Sequence, residues 1–232
     1  MVLSIGSPST FAETTKIQNQ EHILLKKYEK SNYYDVNIDF MNQTLQLIQS
    51  SGLASFKYDF PVLTDELNLS IKYPPDGRFK VYTFDVGGGG TMGEYQSYPQ
   101  FKAQPKSSLT EFSTGFVQKI DQIRVNQQAI YLVQSYYKGS NCVGSYALQA
   151  VKMNDNQLID VHIFYGKNKA THEIVVDFDC HDEIEHSYIQ LSKDQKILNV
   201  QFLDAAFKPQ AKWIRYVLKP HGYVYQGVFK QS

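Results

Sequence analysis

From about residue 54 onward, apolar residues recur at every second position in short runs, and this repeat limits the fold more than any other feature of the chain. Leu67, Leu69, Ile71 and Tyr73 alternate with Asn68, Ser70 and Lys72. That is the pattern of a strand with one buried and one wet face. Pro74-Pro75-Asp76-Gly77 breaks the run, and a second run from Phe79 to Asp85 completes a hairpin. Comparable segments follow at 116–124, 128–138, 145–153, 158–165, 171–180, 187–191, 197–203, 211–219 and 222–230. The residues between them, such as Asn154-Asp155-Asn156 and Lys219-Pro220-His221-Gly222, tolerate positive φ or bond their own backbone. No helical crossover separates the strands, so the expectation is mainly β, an antiparallel meander arranged as a sandwich, a barrel or a propeller-like body. The absence of a strict repeat counts against the propeller. The 17 Tyr and 14 Phe suit pleated, half-buried surfaces. Ser97 to Thr114 is poor in apolar residues and reads as a long loop beside an edge.

The first 50 residues obey a different period. Ile17, Leu24, Leu25 and Tyr28 mark one amphipathic segment, and Ile38, Met41, Leu45 and Ile48 mark a second at three- and four-residue steps. Asp35 suits the start of the second helix and Gly52 its C-terminal cap. Two N-terminal α-helices over 13–52 are therefore expected, packed on an antiparallel β domain over 54–232. Neither helix can bury its stripe alone, so a homo-oligomer formed through them is the alternative. Residues 1–12 are uncharged and end on Thr10-Phe11-Ala12, which reads as the remnant of a secretory signal peptide.

Charge narrows the function classes. The 23 Lys+Arg balance 23 Asp+Glu, and a polyanion binder needs a basic surplus to displace counterions, so nucleic acid is not an expected partner. No run reaches the roughly 18 apolar residues of a membrane-spanning helix. Cys142 and Cys180 are the only cysteines, and an even count suits one disulfide in an exported protein; buried free thiols and a catalytic thiolate are the alternatives.

Local candidates for chemistry are few. Gly87-Gly88-Gly89-Gly90-Thr91 lacks the following helix and the Lys of a phosphate loop, and reads as a turn between strands. The stretch 177–186 is dense in possible ligands, with Asp179, His181, Asp182 and His186 as candidates for a divalent metal. Strand parity argues for a solvated face instead. Asp177, Asp179, His181 and Glu183 fall on one side and Ile174, Val176, Phe178 and Cys180 on the other, and same-side neighbours stand about 6.6 Å apart along a strand. No cofactor is therefore expected. No Gly-x-Ser-x-Gly or His-Glu-x-x-His motif occurs. Trp213 and Arg215 share one strand face and, with Tyr136 and Tyr137, are candidates for a protein interface; a second core layer is the alternative place for the Trp. Acids gather in 177–186, whereas 208–230 holds Lys208, Lys212, Arg215, Lys219 and Lys230 with no acid.

The segment Asp76-Gly77-Arg78-Phe79-Lys80-Val81-Tyr82-Thr83-Phe84-Asp85, followed by Gly89-Gly90-Thr91-Met92, resembles one in uncharacterised exported proteins of Gram-negative bacteria. The resemblance spans about residues 65–230 and implies an exported β-rich protein, without bringing an activity. Together these features lead to the expectation of a soluble periplasmic or secreted binding protein, an inhibitor or immunity-type protein that occludes an enzyme or toxin. A hydrolase with a carboxylate and histidine site near 177–186, and a structural or dimerisation domain, are the alternatives.

Overall fold

The computed structural model describes residues 8–87, 93–140, 143–179, 188–206 and 208–230. Two long helices, α1 (Pro8–Tyr28) and α2 (Tyr33–Ser51), are followed by two short ones, α3 (Leu53–Lys57) and α4 (Pro61–Glu66). Asp35 lies in the first turn of α2, where a carboxylate complements the helix dipole. Gly52 ends that helix at φ 56°, donating its N–H to the Ile48 carbonyl.

Two details of the helical region differ from the sequence reading. The inward face of α2 carries Phe40, Met41, Leu47 and Ile48, while Ile38 is 55% exposed. Residues two apart on a helix point to nearly opposite sides, so the larger ring of Phe40 takes the core and turns Ile38 to solvent. Residues 54–66, which the sequence reading places at the start of the β domain, instead contribute to α3 and α4. Pro61 opens α4, and the chain enters it through Phe60 at φ 47°. The buried Glu21 of α1 accepts the backbone N–H groups of Val62 and Leu63 and the hydroxyl of Tyr58. That long-range cap satisfies the exposed amides at the helix start and adds charge complementary to its dipole.

The strands run β1 (Ser70–Lys72), β2 (Phe79–Asp85), β3 (Tyr95–Phe101), β4 (Phe116–Val125), β5 (Gln128–Lys138), β6 (Val143–Asn154) and β7 (Gln157–Asp160). They continue with β8 (Phe164–Tyr165), β9 (Ala170–Thr171), β10 (Glu173–Asp179), β11 (Ile189–Leu191), β12 (Ile197–Leu203), β13 (Pro209–Lys219) and β14 (Gly222–Phe229). Three sheets result, in the orders β1-β2-β3, β10-β6-β5-β4 with β7 also on β6, and β11-β12-β13-β14-β8-β9. Every pairing is antiparallel except β14 with β8. No sheet closes into a barrel, and the architecture is a sandwich-like meander with helices on one side.

The layers stack in order. Tyr82 and Phe84 of β2 face the helices, packing with Phe40, Ile48, Phe60 and Leu63. Phe79 and Val81, on the opposite face of the same strand, pack on Tyr131, Val133 and Val151 of the five-stranded sheet. That sheet turns Leu132, Leu148 and Val176 towards Leu198, Val200 and Tyr223 of the six-stranded one. The β1–β2–β3 sheet is thus covered on both faces, which explains why the expected loop at 97–114 begins as strand. Ser97 and Gln100 of β3 are buried, and the interior satisfies them: Thr83 and Ser97 share a hydrogen bond of 2.8 Å, and Gln100 accepts from Tyr82 and donates to Gly52, Ser55 and Pro105.

Lys80 is the unusual member of this interior. It shares a face with Tyr82 and Phe84 and is fully buried. Its ammonium donates to the carbonyls of Ser55 at 2.8 Å and Tyr58 at 2.7 Å and to the Tyr73 hydroxyl at 3.3 Å, which accounts for its three protons. The rings of Phe56, Phe60, Tyr73 and Tyr82 surround it, with centroids between 4.8 and 5.9 Å. The Tyr73 hydroxyl in turn bonds Asp59. Burial pulls the Lys80 ammonium down to about 7, against a smaller upward pull from Asp59.

Candidate functional site

The three-stranded sheet is narrower than the five-stranded sheet it covers, and the uncovered part lies towards β10. On β10 alternate residues divide as the sequence implied: Ile174, Val176 and Phe178 join the core against the six-stranded sheet, while Val175 and Asp177 are exposed on the other face. Register carries that second face across the sheet. Glu173 pairs with Gln149, Val175 with Ala147, Asp177 with Ser145 and Asp179 with Val143, and Asp160 of β7 pairs with Val151 further along β6. The edge therefore presents Asp160, Glu173, Val175 and Asp177 in line, three acids around one valine, on the same face of the sheet.

The hydrogen bonds along this line hold the acids in place. Ser145 donates to Asp177 at 2.6 Å, and Gln149 donates its Nε2 to Asp160 at 2.8 Å. Gln149 is 6% exposed, and among the described residues its Oε1 has no hydrogen-bond partner, a cost for a buried acceptor. Glu173 is partly buried, and burial raises its carboxyl above the ordinary range; His172 pulls it down and Asp160 pushes it up. His172 stands 3.7 Å from Asp160, an ion pair only when the imidazole is protonated, and its ring meets His162 edge-on at 5.3 Å. Next to the line, Tyr137 is 37% exposed and Val143 52%. Burial and the Glu173 carboxylate raise the Tyr137 hydroxyl, while Thr114, Ser135 and the Gly115 amide act in the opposite direction.

Along its outer side β10 borders an open cleft of about 460 Å³. Ile174 and Val176 contribute apolar lining opposite Val200, Leu203, Ile214 and Tyr216 of the facing sheet, and Glu173, Asp177, Gln201 and Asp204 add polar and charged groups to the same cleft. Among the described residues β10 has a single strand neighbour, β6, so its outer backbone groups face no strand. An open sheet edge of this kind is a template for an added strand.

The other expected site residues are distributed differently. Trp213 is 6% exposed, so the structure makes it a core residue and removes it from the candidate interface. Arg215 lies 3.9 Å over the Phe229 ring and donates Nε–H to Asn199, a contact within its own sheet. Tyr136 is half-buried in an aromatic stack with Tyr146 and Phe178, with centroids 5.4 and 6.0 Å away. Of the four aromatic and Arg candidates, Tyr137 alone reaches the acidic face. His181, Asp182 and His186 lie outside the described residues, as do Cys142 and Cys180, and Asp179 is placed only as a strand position. The β6–β10 ladder ends at Val143 and Asp179, each next to a cysteine in the chain. Among the described residues no group of three or more His, Cys, Asp or Glu side chains is arranged to hold a metal ion. No described helix is long and apolar enough to cross a membrane.

A second concave surface lies between α1 and α2, about 610 Å³, lined by Ile23, Leu24, Leu47 and polar residues including Asp39 and Gln43. Ile23 is 64% exposed beside it. The lining mixes apolar and amide side chains without a titratable cluster. Sequence reasoning found Tyr137 and the parity of β10 but missed Glu173, Gln149 and Asp160, because only the register brings β6, β7 and β10 together. No family model, no curated protein and no solved structure matches the chain.

Proposed function

We propose that the protein is an exported binding protein that engages a protein partner along the open edge of its central sheet, as an inhibitor or immunity-type protein would. The observation that carries this reading is the β10 edge, where outer backbone that faces no described strand, exposed Val175, an open cleft of mixed lining and a line of acids coincide. Each feature serves association in a different way: backbone groups supply affinity by strand addition, the cleft accepts alternate side chains, and the acids steer and select the partner.

The test is capture of a partner from the native periplasmic or culture fraction with two matched variants. Val175 and Val228 are each 48% exposed, on different sheets. An exposed Val→Arg change should alter stability by about 0.5 kcal/mol or less. Val175→Arg places a long cation on the edge and should lower the affinity of a stoichiometric partner at least about tenfold, the loss of about 1.4 kcal/mol at one central position. Val228→Arg should leave capture unchanged. Equal capture by both variants would remove the edge from the function.

A further inference from the structure

Resting on that reading, we infer that the occupant of the β10 edge is an extended segment with basic residues four apart and apolar residues between them. The spacing comes from the strand itself. Glu173 and Asp177 are separated by four residues, about 13 Å along a strand, with Val175 midway on the same face. A strand added beside β10 sets its own alternate side chains directly opposite these three, and cross-strand pairs of opposite charge are favourable whereas like charges are not. Lysine or arginine therefore falls opposite Glu173 and Asp177, and an apolar side chain opposite Val175.

The intervening residues of the same segment point to the other face, beside Ile174 and Val176. There they enter the cleft lined by Val200, Leu203, Ile214 and Tyr216, which is open at this edge. Apolar side chains placed there cover Ile174, Val176, Val200 and Ile214, while Gln201 and Asp204 keep the rim of the same cleft polar. The acidic face also holds a feature independent of charge. The buried Oε1 of Gln149, directly across the ladder from Glu173, has no donor among the described residues, although the Nε2 of the same amide is bonded to Asp160. A cation arriving at Glu173 brings N–H donors to the neighbourhood of that acceptor. Tyr137 lies on the same face, and an aromatic ring beside carboxylates is a favourable setting for a guanidinium or ammonium group.

The experiment uses the full chain and blocked synthetic peptides as probes. One has two lysines flanking three valines, the second replaces both lysines with glutamate, and the third places the two lysines next to each other. Binding is read by titration, and its location by amide chemical shifts of isotopically labelled protein. The first peptide should bind in preference to both others, with shifts confined to β10 and the cleft strands. The double variant Glu173→Gln, Asp177→Asn should weaken it about fivefold or more, as expected for the loss of two cross-strand charge pairs. Equal binding of the lysine and glutamate peptides, or shifts centred elsewhere, would overturn the inference. If that happens while Val175→Arg still loses the native partner, the docking edge stands and only the basic pattern falls. If Val175→Arg keeps the partner, the docking reading itself falls.

Discussion

Replacing Lys80 by Ala is expected to lower the unfolding free energy by about 3–5 kcal/mol, among the larger effects available to a single substitution here. The change removes the donor that serves the Ser55 and Tyr58 carbonyls, both in the α3–α4 region, from a strand in the neighbouring sheet. Each stranded carbonyl costs about 1–3 kcal/mol, and the missing alkyl stem leaves a cavity among four aromatic rings. Lys80→Met keeps most of the volume and loses the donor together with the buried charge that opposes folding, so it should cost less than Lys80→Ala. Urea unfolding of the three proteins at pH 6 separates the two contributions.

The same residue gives a pH dependence whose sign follows from its environment. Burial holds the Lys80 ammonium down at about 7 in the folded chain, below its ordinary value of 10.5 in the unfolded one. Below about pH 7 both states hold the proton, and burial of the charge weighs fully against the fold. Between about 7 and 10 the unfolded chain holds more protons than the folded one, so stability rises with pH. Above 10 the trend reverses, because Tyr58, Tyr73 and Tyr82 are held above their ordinary value by burial and stay protonated in the folded state. Lys80→Met should flatten the slope between 7 and 10 and leave the alkaline fall in place. An unchanged slope in that variant would assign the dependence to other groups.

The second large effect is expected at Gly222, which begins β14 at φ 144°, a conformation that L side chains rarely adopt. A Cβ there would overlap the Ile163 carbonyl oxygen and lie 3.0 Å from the carbonyl carbon. That oxygen accepts the Tyr223 N–H at 2.7 Å, at the start of the parallel pairing between β14 and β8. Tyr223 is fully buried, stacks with Phe164 at 5.9 Å and donates its hydroxyl to the Gln195 carbonyl. Gly222→Ala therefore strains the backbone and pushes apart the strands that it joins, at an expected cost of about 2–4 kcal/mol. Gly77 supplies the comparison. It also has positive φ, 60°, but a Cβ would meet nothing within 4 Å, so Gly77→Ala should cost about 1 kcal/mol. Equal losses at the two positions would show that backbone conformation, and not the contact with Ile163, sets the effect.

Legibility of the fold in the sequence followed the length and exposure of each element. Long strands bounded by turn residues were visible: β5 and β12 fall on the expected residues, and β4, β13 and β14 lie within two residues of theirs. Residues 54–66 were not, because α3 and α4 are each shorter than two turns and owe their stability to partners far away in the chain, Glu21 and Lys80. Lys80 shares its strand face with Tyr82 and Phe84. It is buried because the helices cover that face, which no local period reveals. The candidate site shows the same limit. The parity of β10 was readable, but the line of acids needs the register of β6 with both β7 and β10, and the cleft needs the facing sheet. Trp213 was the reverse case, an interface candidate by residue type that packing assigns to the core.

The central claim, that the outer edge of β10 is where the partner docks, is tested most directly by backbone hydrogen exchange of the full chain with and without its captured partner. Outward amides of an edge strand exchange readily unless another strand accepts from them. The account expects new protection in alternate amides of residues 173–179, with α1 and α2 unchanged. Protection appearing on the α1–α2 groove while β10 continues to exchange as in the free protein would contradict it.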